Sequence, residues 1–303
     1  MPVNDDLGTR MKEFYEQIPK TKLMRRTPVI IRIDGRAFHT FTRGFNRPFD
    51  EVLIKTMQET TKYLCENIQG CVLGYTQSDE ITLVLVDYKK LNSSAWFDYE
   101  VQKMCSIAAS MATIAFNKLF NHYYLSLWDI TTFGIDEESD EKDVQLLEET
   151  FGFSREYILS KEFKTTVENY NNALTKGAMF DARVFNIPKE EVTNCIYWRQ
   201  LDASRNSIQM VGQANFSHKE LQNKSCNMIQ DMLMTQKGIN WNDLPTYQKR
   251  GSCVIKNRMI CEPYGNRMLC NDVSEGHWII DTEIPIFKGE GREYIEKLIM
   301  VGE

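Results

Sequence analysis

Two acidic positions, each next to a predicted strand, have the residue types that could hold a divalent cation. Asp34 and Gly35 end a β-branched run at residues 29–33, and Asp79 and Glu80 lie at the turn of a predicted hairpin. If these strands are neighbours, Asp34 and Asp79 meet at one edge of a sheet. Two close carboxylates repel each other unless a cation lies between them, and oxygen ligands favour Mg²⁺. Two such ions could stabilise the attacking and leaving oxygens of a phosphoryl or nucleotidyl transfer.

The same acidic residues also fit a structural interpretation. Asp-Gly and Ser-Asp are common turn pairs, so Asp34 could cap a turn and Asp79 could cap the hairpin. Basic residues cluster around Asp34, and such residues bind phosphate groups. The cluster comprises Lys20, Lys22, Arg25, Arg26, Arg32, Arg36, His39, Arg43 and Arg47. Phe38, Phe41 and Phe45 interleave with them and could either stack nucleobases or pack a loop onto the sheet.

Hydrophobic periodicity predicts the elements that must position these residues. Strands are predicted at 29–33, 71–75, 81–86 and 178–187, and helices at about 50–68 and 99–120. Their order, β-α-β-β-α-β, is that of the ferredoxin-like unit, which predicts an α+β, two-layer palm with added helices. A helix is predicted from Pro188 to about Val211, and another from the capping box of Ser217 and Glu220 to about Gly238. A short strand is predicted at 250–255.

Charge and composition narrow the class of protein. The 303 residues carry a net charge of −6, which argues against a protein that coats nucleic acid non-specifically. Residues 136–149 hold eight acidic residues against Lys142, so the rest of the chain has a net charge of about +1. This acidic run is predicted to be a solvated insertion or flexible loop. The remainder has enough basic residues for a specific, salt-sensitive RNA site.

The compartment is predicted from what the sequence lacks. There is no apolar run long enough to span a membrane, and the N-terminus has no signal-peptide pattern. Eight cysteines occur without a Cys-x-x-Cys pair, which is typical of reduced thiols rather than of disulfides or a compact zinc motif. The sequence therefore predicts a cytoplasmic protein with no membrane partner. The sequence also lacks the phosphate-binding loop of many ATPases, which argues against a P-loop kinase or ATPase.

Six ordered motifs resemble those of the tRNA-His guanylyltransferase family, and together they span residues 25–256. The motifs are Arg32-Ile33-Asp34-Gly35-Arg36-Ala37-Phe38-His39-Thr40-Phe41, Arg47-Pro48-Phe49-Asp50, Gln77-Ser78-Asp79-Glu80, Phe180-Asp181-Ala182-Arg183-Val184-Phe185, Trp198-Arg199-Gln200 and Tyr247-Gln248-Lys249-Arg250-Gly251. The resemblance implies a polymerase palm that works in the 3′-to-5′ direction. It implies activation of a tRNA 5′ end by ATP or GTP, followed by attack of the 3′-hydroxyl of an incoming nucleotide.

The resemblance also implies roles for individual residues. Asp34 and Asp79, with the Gly35 carbonyl, would hold two Mg²⁺ ions, and Glu80 would join Asp34 and Asp79 as a catalytic residue that supports the site. The nucleotide would be held by Asp34, Gly35, Arg36, Ala37, Phe38, His39, Arg47, Asp50, Ser78 and Asp79. Arg47 stands where many relatives carry lysine, and arginine would contact a phosphate as a fork. Family members are tetrameric, so a homotetramer is implied.

One motif departs from the eukaryotic pattern. Eukaryotic members carry His-Ile-Asn-Asn shortly after Trp-Arg-Gln, and this segment is linked to non-templated guanosine addition. The corresponding residues here are Ser204, Arg205, Asn206 and Ser207, so only one asparagine is kept. The chain is therefore similar to the Thg1-like branch, which implies templated addition and repair of truncated 5′ ends.

The sequence leaves two other function classes open. A palm with paired metal carboxylates could also be a nucleotidyl cyclase, and a degenerate palm could be a non-catalytic RNA-binding module. The predicted segments are an N-terminal arm and palm core (1–135), an acidic insertion (136–150), the palm completion with a helical region (151–256) and a C-terminal extension (257–303).

Overall fold

Six strands form the framework of the protein. The computed structural model describes residues 6–133, 140–264 and 267–300, with side chains outside 132–143 and 258–275. The strands are β1 (Val29–Gly35), β2 (Cys71–Gln77), β3 (Glu80–Leu85), β4 (Phe180–Asn186), β5 (Ser252–Tyr264) and β6 (Arg267–Asp281). They form one sheet in the order β4-β1-β3-β2-β5-β6, and every neighbouring pair is antiparallel.

Twelve α-helices occur in the described part of the chain. They are α1 (Asp6–Met11), α2 (Phe38–Phe41), α3 (Glu51–Asn67), α4 (Val101–Phe133), α5 (Asp140–Phe151), α6 (Arg155–Ile158), α7 (Lys161–Lys176), α8 (Lys189–Asn215), α9 (His218–Leu221), α10 (Cys226–Met232), α11 (Thr246–Arg250) and α12 (Glu293–Ile299). None of these helices has both the length and the apolar character needed to cross a lipid bilayer.

The palm follows the predicted order β1-α3-β2-β3-α4, interrupted by α5 to α7 before β4 completes it. Its four strands have the spatial order 4-1-3-2, so the predicted α+β palm is confirmed. Register places Asp34 of β1 opposite Glu80 of β3 and opposite Asp181 of β4. Side chains that are directly opposite point to the same face of a sheet, so these three acidic residues share one face and one edge.

The two faces of the sheet bury separate apolar clusters. Alternation along β1 sends Ile31 and Ile33 into the cluster under α3 and α4, and Ile30 into the cluster that includes Ile196 of α8. Helix α3 begins where Asp50 accepts a hydrogen bond from the Leu53 N–H at 2.9 Å, an N-cap that fixes the start of the helix. The carboxylate edge therefore lies between helices on both faces.

The acidic run does not have the structure that its composition predicts. Residues 140–149 belong to α5, and Val144, Leu147 and Phe151 are buried. Their spacing of three and four residues gives this acidic helix one apolar face, which packs into the cluster under α3 and α4. The prediction of a flexible loop is wrong for this part, whereas residues 136–139 lie outside the described residues.

Two predicted helix ends are also corrected. Helix α4 continues to Phe133, because Tyr124 and Leu127 extend its buried face beyond residue 120. The capping box of Ser217 and Glu220 is present, but the helix it starts ends at Leu221. Asn223 follows with a φ of 62°, a left-handed conformation that no α-helix accommodates, and α10 starts anew after it.

The C-terminal part adds to the palm rather than standing apart from it. The strand predicted at 250–255 starts at Ser252 and continues to Tyr264 as β5, which pairs with β2 and extends the sheet. Gly251 precedes it with a φ of +82°, and a Cβ there would lie 2.5 Å from the Thr76 carbonyl oxygen. Glycine is thus required where the chain enters β5. Helix α12 buries Ile295 and Ile299 in the same cluster as Ile30.

Candidate functional site

The carboxylate pair is built by the ends of three strands. Asp34 is the penultimate residue of β1, and Asp79 occupies the two-residue turn between β2 and β3. The Gly35 N–H donates a hydrogen bond of 3.0 Å to the Asp79 carbonyl oxygen, which joins the two segments. Asp34 and Asp79 therefore lie together at one edge of the sheet, although 45 positions of sequence separate them.

The environment of the pair disfavours two negative charges. Burial, followed by the nearby charge of Asp34, raises the pKa of Asp79 to about 6. Arg183 of β4 lies 4.0 Å from Asp34, whereas Asp79 makes no ion pair among the described side chains. The donor set consists of hard carboxylate oxygens, and its repulsion is the kind that a divalent cation offsets. Asp34 and Asp79 therefore fit Mg²⁺.

A cavity of about 650 Å³ opens beside this pair. Of the residues predicted to bind nucleotide, eight line it: Gly35, Ala37, Phe38, His39, Arg47, Asp50, Ser78 and Asp79. Asp34 and Arg36 are not part of the wall. Two further lining residues, Met210 and Gln213, carry no signal in the sequence, because α8 brings them across from a distant part of the chain. Arg43 adds a second cation beside Arg47.

The backbone around the cavity is strained at two points. Ala37 has a φ of 55° and Ser78 a φ of 51°, so two residues with a Cβ adopt the left-handed conformation. Such conformations cost free energy and concentrate at functional sites. They place the two segments that flank the carboxylates, the start of α2 and the β2–β3 turn, on the wall of the cavity.

Two of the predicted nucleotide-binding residues are held by structural contacts. The buried Asp50 carboxylate accepts hydrogen bonds from the Asn46 N–H at 3.0 Å and the Tyr170 hydroxyl at 2.7 Å, in addition to its helix-capping bond. Its contacts fix the loop that carries Arg47. Phe38 is 5% exposed and packs edge-on against Phe116. Phe41 and Phe45 are equally buried, which confirms the packing interpretation of all three phenylalanines.

Glu80 turns away from the cavity into a buried ion pair. Arg199 of α8 donates to both Glu80 carboxylate oxygens, at 2.6 and 2.7 Å, and Arg32 lies 3.2 Å from one of them. Glu80 and Arg199 are each 5% exposed. Because Glu80 is not among the cavity-lining residues, its contacts support a positioning role, by holding α8 against β3, rather than direct catalysis.

The predicted basic cluster is divided between the two ends of β1. Arg25 donates to Asp87 at 2.7 Å, and Lys22 pairs with Asp98, so these residues fasten the start of β1. Seven residues of strand span roughly 20 Å, which places them too far from Asp34 to act on the same phosphate. The prediction that they gather around the site is corrected. Arg43 and Arg47 remain beside the cavity.

Comparison with known proteins identifies the family to which this geometry belongs. The family model described as tRNAHis guanylyltransferase matches residues 8–188, which contain the whole palm, both carboxylates and most of the cavity wall. The chain belongs to the tRNAHis guanylyltransferase family. Its members are nucleotidyltransferases, so the predicted enzyme class is confirmed.

Individual relatives agree with this assignment. An uncharacterized protein of Acanthamoeba polyphaga mimivirus is 28% identical, over 85% of this chain and 79% of its own. The tRNA(His) guanylyltransferase of Saccharomyces cerevisiae is 23% identical over 75% of this chain and 82% of its own. A bacterial Thg1-like protein solved in complex with ATP is 38% identical, with a TM-score of 0.72, and covers 97% of this chain and all of its own.

Two guanylyltransferase motifs acquire structural roles that sequence reasoning did not assign. Beside Arg199, Gln200 donates to the Pro285 carbonyl at 2.8 Å and accepts from the Phe287 N–H at 3.0 Å, which ties α8 to the segment before α12. In the C-terminal motif, Gln248 donates to Glu51 of α3 at 2.6 Å. The Gln200 contacts fix the position of α8, which forms one wall of the cavity, and the Gln248 contact joins α11 to the start of α3.

Gly35 provides a prediction on the guanylyltransferase site itself. A Cβ on Gly35 would lie 2.3 Å from the Phe38 ring, which the surrounding aromatic rings hold in place. We expect Gly35→Ala to destabilise the protein by about 1–3 kcal/mol, the usual cost of overpacking. Urea denaturation measures this change, and the KM for nucleotide should rise because α2 is displaced.

The neighbouring ring supplies the control for Gly35→Ala. The double variant Gly35→Ala/Phe38→Leu removes the ring edge that clashes. It should therefore be more stable than the sum of the two single effects predicts, because the substitutions are in contact and compensate. Additive effects would show that the close approach of Gly35 to Phe38 does not explain the glycine.

Proposed function

We propose that this protein adds nucleotides to the 5′ end of tRNA in the 3′-to-5′ direction. The observation that carries the proposal is the position of Asp34 and Asp79 beside a cavity of about 650 Å³, in a guanylyltransferase palm. Related bacterial proteins were solved with ATP and with GTP, at 38% and 34% identity. These nucleotides fit the proposed substrates for 5′ activation and addition.

The residues around the cavity would have separate roles in binding phosphate, binding metal ions and positioning Asp79. The wall formed by α2 and by Ser78 would enclose the triphosphate, with Arg47 as a forked phosphate donor. Asp34, Asp79 and the Gly35 carbonyl would bind two Mg²⁺ ions. Bound there, the ions would stabilise charge on the attacking and leaving oxygens of the transfer. Glu80 would keep the turn that carries Asp79 in position through its bonds to Arg199.

We further propose that addition is templated. The His-Ile-Asn-Asn segment linked to non-templated addition is replaced by residues 204–207, and of these Asn206 and Ser207 line a small pocket next to the cavity. The chain is 38% identical to the bacterial Thg1-like structure and 19% identical to the solved yeast guanylyltransferase. Both observations support the repair of truncated 5′ ends.

A 5′-extension assay tests the proposed function. A 5′-triphosphorylated tRNAHis transcript lacking its first nucleotide needs no activation by ATP. It is incubated with Mg²⁺ and one nucleoside triphosphate at a time, and the base opposite the vacant position is varied through all four. We expect extension with the complementary nucleotide in each case, because Watson–Crick pairing selects it. A full-length transcript should gain no nucleotide at a position where no base is available for pairing.

Three results would contradict the proposed function or its templating. Equal extension with all four nucleotides would exclude templating. A cyclic nucleotide formed from labelled GTP without RNA would favour the cyclase, whose palm also carries paired carboxylates. RNA binding with no extension would favour a binding module.

A further inference from the structure

An exposed indole lies on α8, outside the wall of the cavity. Trp198 of α8 is 53% exposed, although α8 is packed against the sheet on its other side. The Arg199 guanidinium lies 4.5 Å from the centre of the indole ring, and the Arg32 guanidinium lies 5.5 Å from it. Both are within the range of a cation–π interaction, so the ring is held in a defined orientation.

Part of the indole surface is available to a ligand. Arg32 and Arg199 both contact the same oxygen of Glu80, at 3.2 and 2.7 Å. Two guanidinium groups that share one carboxylate oxygen cannot lie directly above opposite faces of a ring. The two guanidinium groups therefore do not enclose the ring between them, and Trp198 keeps 53% of its surface exposed.

The indole is connected to the reacting edge through β1 and β4. Arg32 lies two residues before Asp34 on the same face of β1, and it is opposite Arg183 in register. Arg183 is about half exposed and lies 4.0 Å from Asp34. Neither Trp198, Arg32 nor Arg183 lines the cavity, whereas Asp79 does. Asp79 thus borders the cavity, whereas Asp34 lies next to Arg183, which belongs to an aromatic and basic surface outside the cavity wall.

We propose that Trp198 is the stacking platform for the terminal base of the RNA substrate, with Arg183 beside its phosphate. The inference rests on the proposed function and names the surface through which that function would hold its polymer. Transfer at a two-metal site needs two substrates, one on each side of the metals. Aromatic rings beside arginines bind single-stranded ends by stacking and by backbone contact.

The openness of this surface favours RNA over a second mononucleotide. The cavity of about 650 Å³ has the size for one nucleotide, whereas a tRNA end must enter from solvent together with the rest of the molecule. Strand β4 is the edge of the sheet, and its Asp181 and Arg183 side chains are exposed by 62% and 54%. A polymer can therefore approach Trp198 across β4.

Two variants of Trp198 and one control on the same helix test the proposal. In the extension assay, Trp198→Ala should raise the KM for truncated tRNA by about 10- to 100-fold, the range expected for the loss of one stacked base. The KM for the nucleoside triphosphate should stay within about twofold, and Trp198→Phe should recover most of the loss because it retains a ring. Leu201→Ala removes another half-exposed apolar side chain of α8 and should leave both KM values unchanged.

A binding measurement separates this inference from the proposed function. A truncated tRNA with 2-aminopurine as its 5′-terminal base is titrated with each protein in the presence of a chelator, so that no turnover is needed. Stacking should quench the fluorescence with the wild-type protein and with Trp198→Phe, but not with Trp198→Ala. Quenching that needs Trp198, in a protein that extends no RNA, would support the platform and refute the function.

Other results would overturn the platform. An unchanged KM for tRNA in Trp198→Ala would refute it, and so would quenching that persists in that variant. A rise in the nucleotide KM alone would assign the indole to the mononucleotide instead. Thermal melting of each variant shows whether it is folded. A variant that had lost its fold would bind neither the tRNA nor the nucleoside triphosphate.

Discussion

Asp79→Asn is expected to lower the rate of nucleotide addition by at least about a thousandfold while tRNA binding persists. The variant keeps the shape of the side chain and removes the charge that would hold a metal ion. Loss of several kcal/mol of transition-state stabilisation corresponds to three or more factors of ten in rate. Asp34→Asn should behave alike, because the two carboxylates share the edge of the sheet. Single-turnover extension and a tRNA filter-binding assay measure the two quantities.

The same variant should be no less stable than the wild-type protein when metal is absent. Burial and the charge of Asp34 raise the pKa of Asp79 to about 6. Because the pKa of this carboxyl is higher in the folded protein than in the unfolded chain, ionising it at neutral pH lowers the free energy of unfolding. Removing that charge should therefore maintain or raise the melting temperature in the presence of a chelator. Added Mg²⁺ should raise the melting temperature of the wild-type protein more than that of Asp79→Asn.

Asp181→Asn is the matched control for these variants. Asp181 lies opposite Asp34 on β4, is exposed and pairs with Arg183. Its replacement changes the charge of the same sheet edge without removing a proposed metal ligand, so addition should continue at close to the wild-type rate. Full activity in a correctly folded Asp79→Asn protein would refute the metal assignment.

Sequence reasoning reached the carboxylate pair because local patterns determine it. β-branched runs define β1 and β3, and the turn residues Ser78 and Asp79 define the hairpin, so the strand order follows from a small set of rules. The role of Glu80 could not be found in this way. Its partner Arg199 is 119 positions away on α8, and a contact between distant charges leaves no periodic signal.

The composition of the acidic run led to a wrong prediction, because a count of charges does not show how the apolar residues are spaced. The acidic run at 136–149 resembles a solvated loop when its charges are counted, but Val144 and Leu147 carry a helical spacing within it. Basic residues near Asp34 in sequence were expected near it in space. A strand separates its two ends, however, so Arg25 pairs with Asp87 at the far end of β1. Exposure of Trp198 depends on how α8 crosses the sheet, which only the tertiary structure shows.

Arg199→Met should lower the stability of the protein more than Gly35→Ala does. It leaves the Glu80 carboxylate buried with only Arg32 as a cationic partner, at 3.2 Å. Removing one member of a buried ion pair typically costs about 3–5 kcal/mol, because an uncompensated charge stays in the interior. Urea denaturation should show this loss. Nucleotide addition should fall as well, since α8 would lose its attachment beside the turn that carries Asp79.

Arg205→Met is the control for Arg199→Met, because it removes an exposed ion pair within the same helix, α8. Arg205 pairs with Asp202, as Arg199 does, but its side chain is 61% exposed. Exposed pairs contribute less than about 1 kcal/mol, so this variant should leave the stability of the protein nearly unchanged.

Glu80→Gln then decides the role of Glu80. A positioning residue loses stability and activity together, as Arg199→Met does. Lost activity at unchanged stability would instead mean that Glu80 acts on the substrate directly.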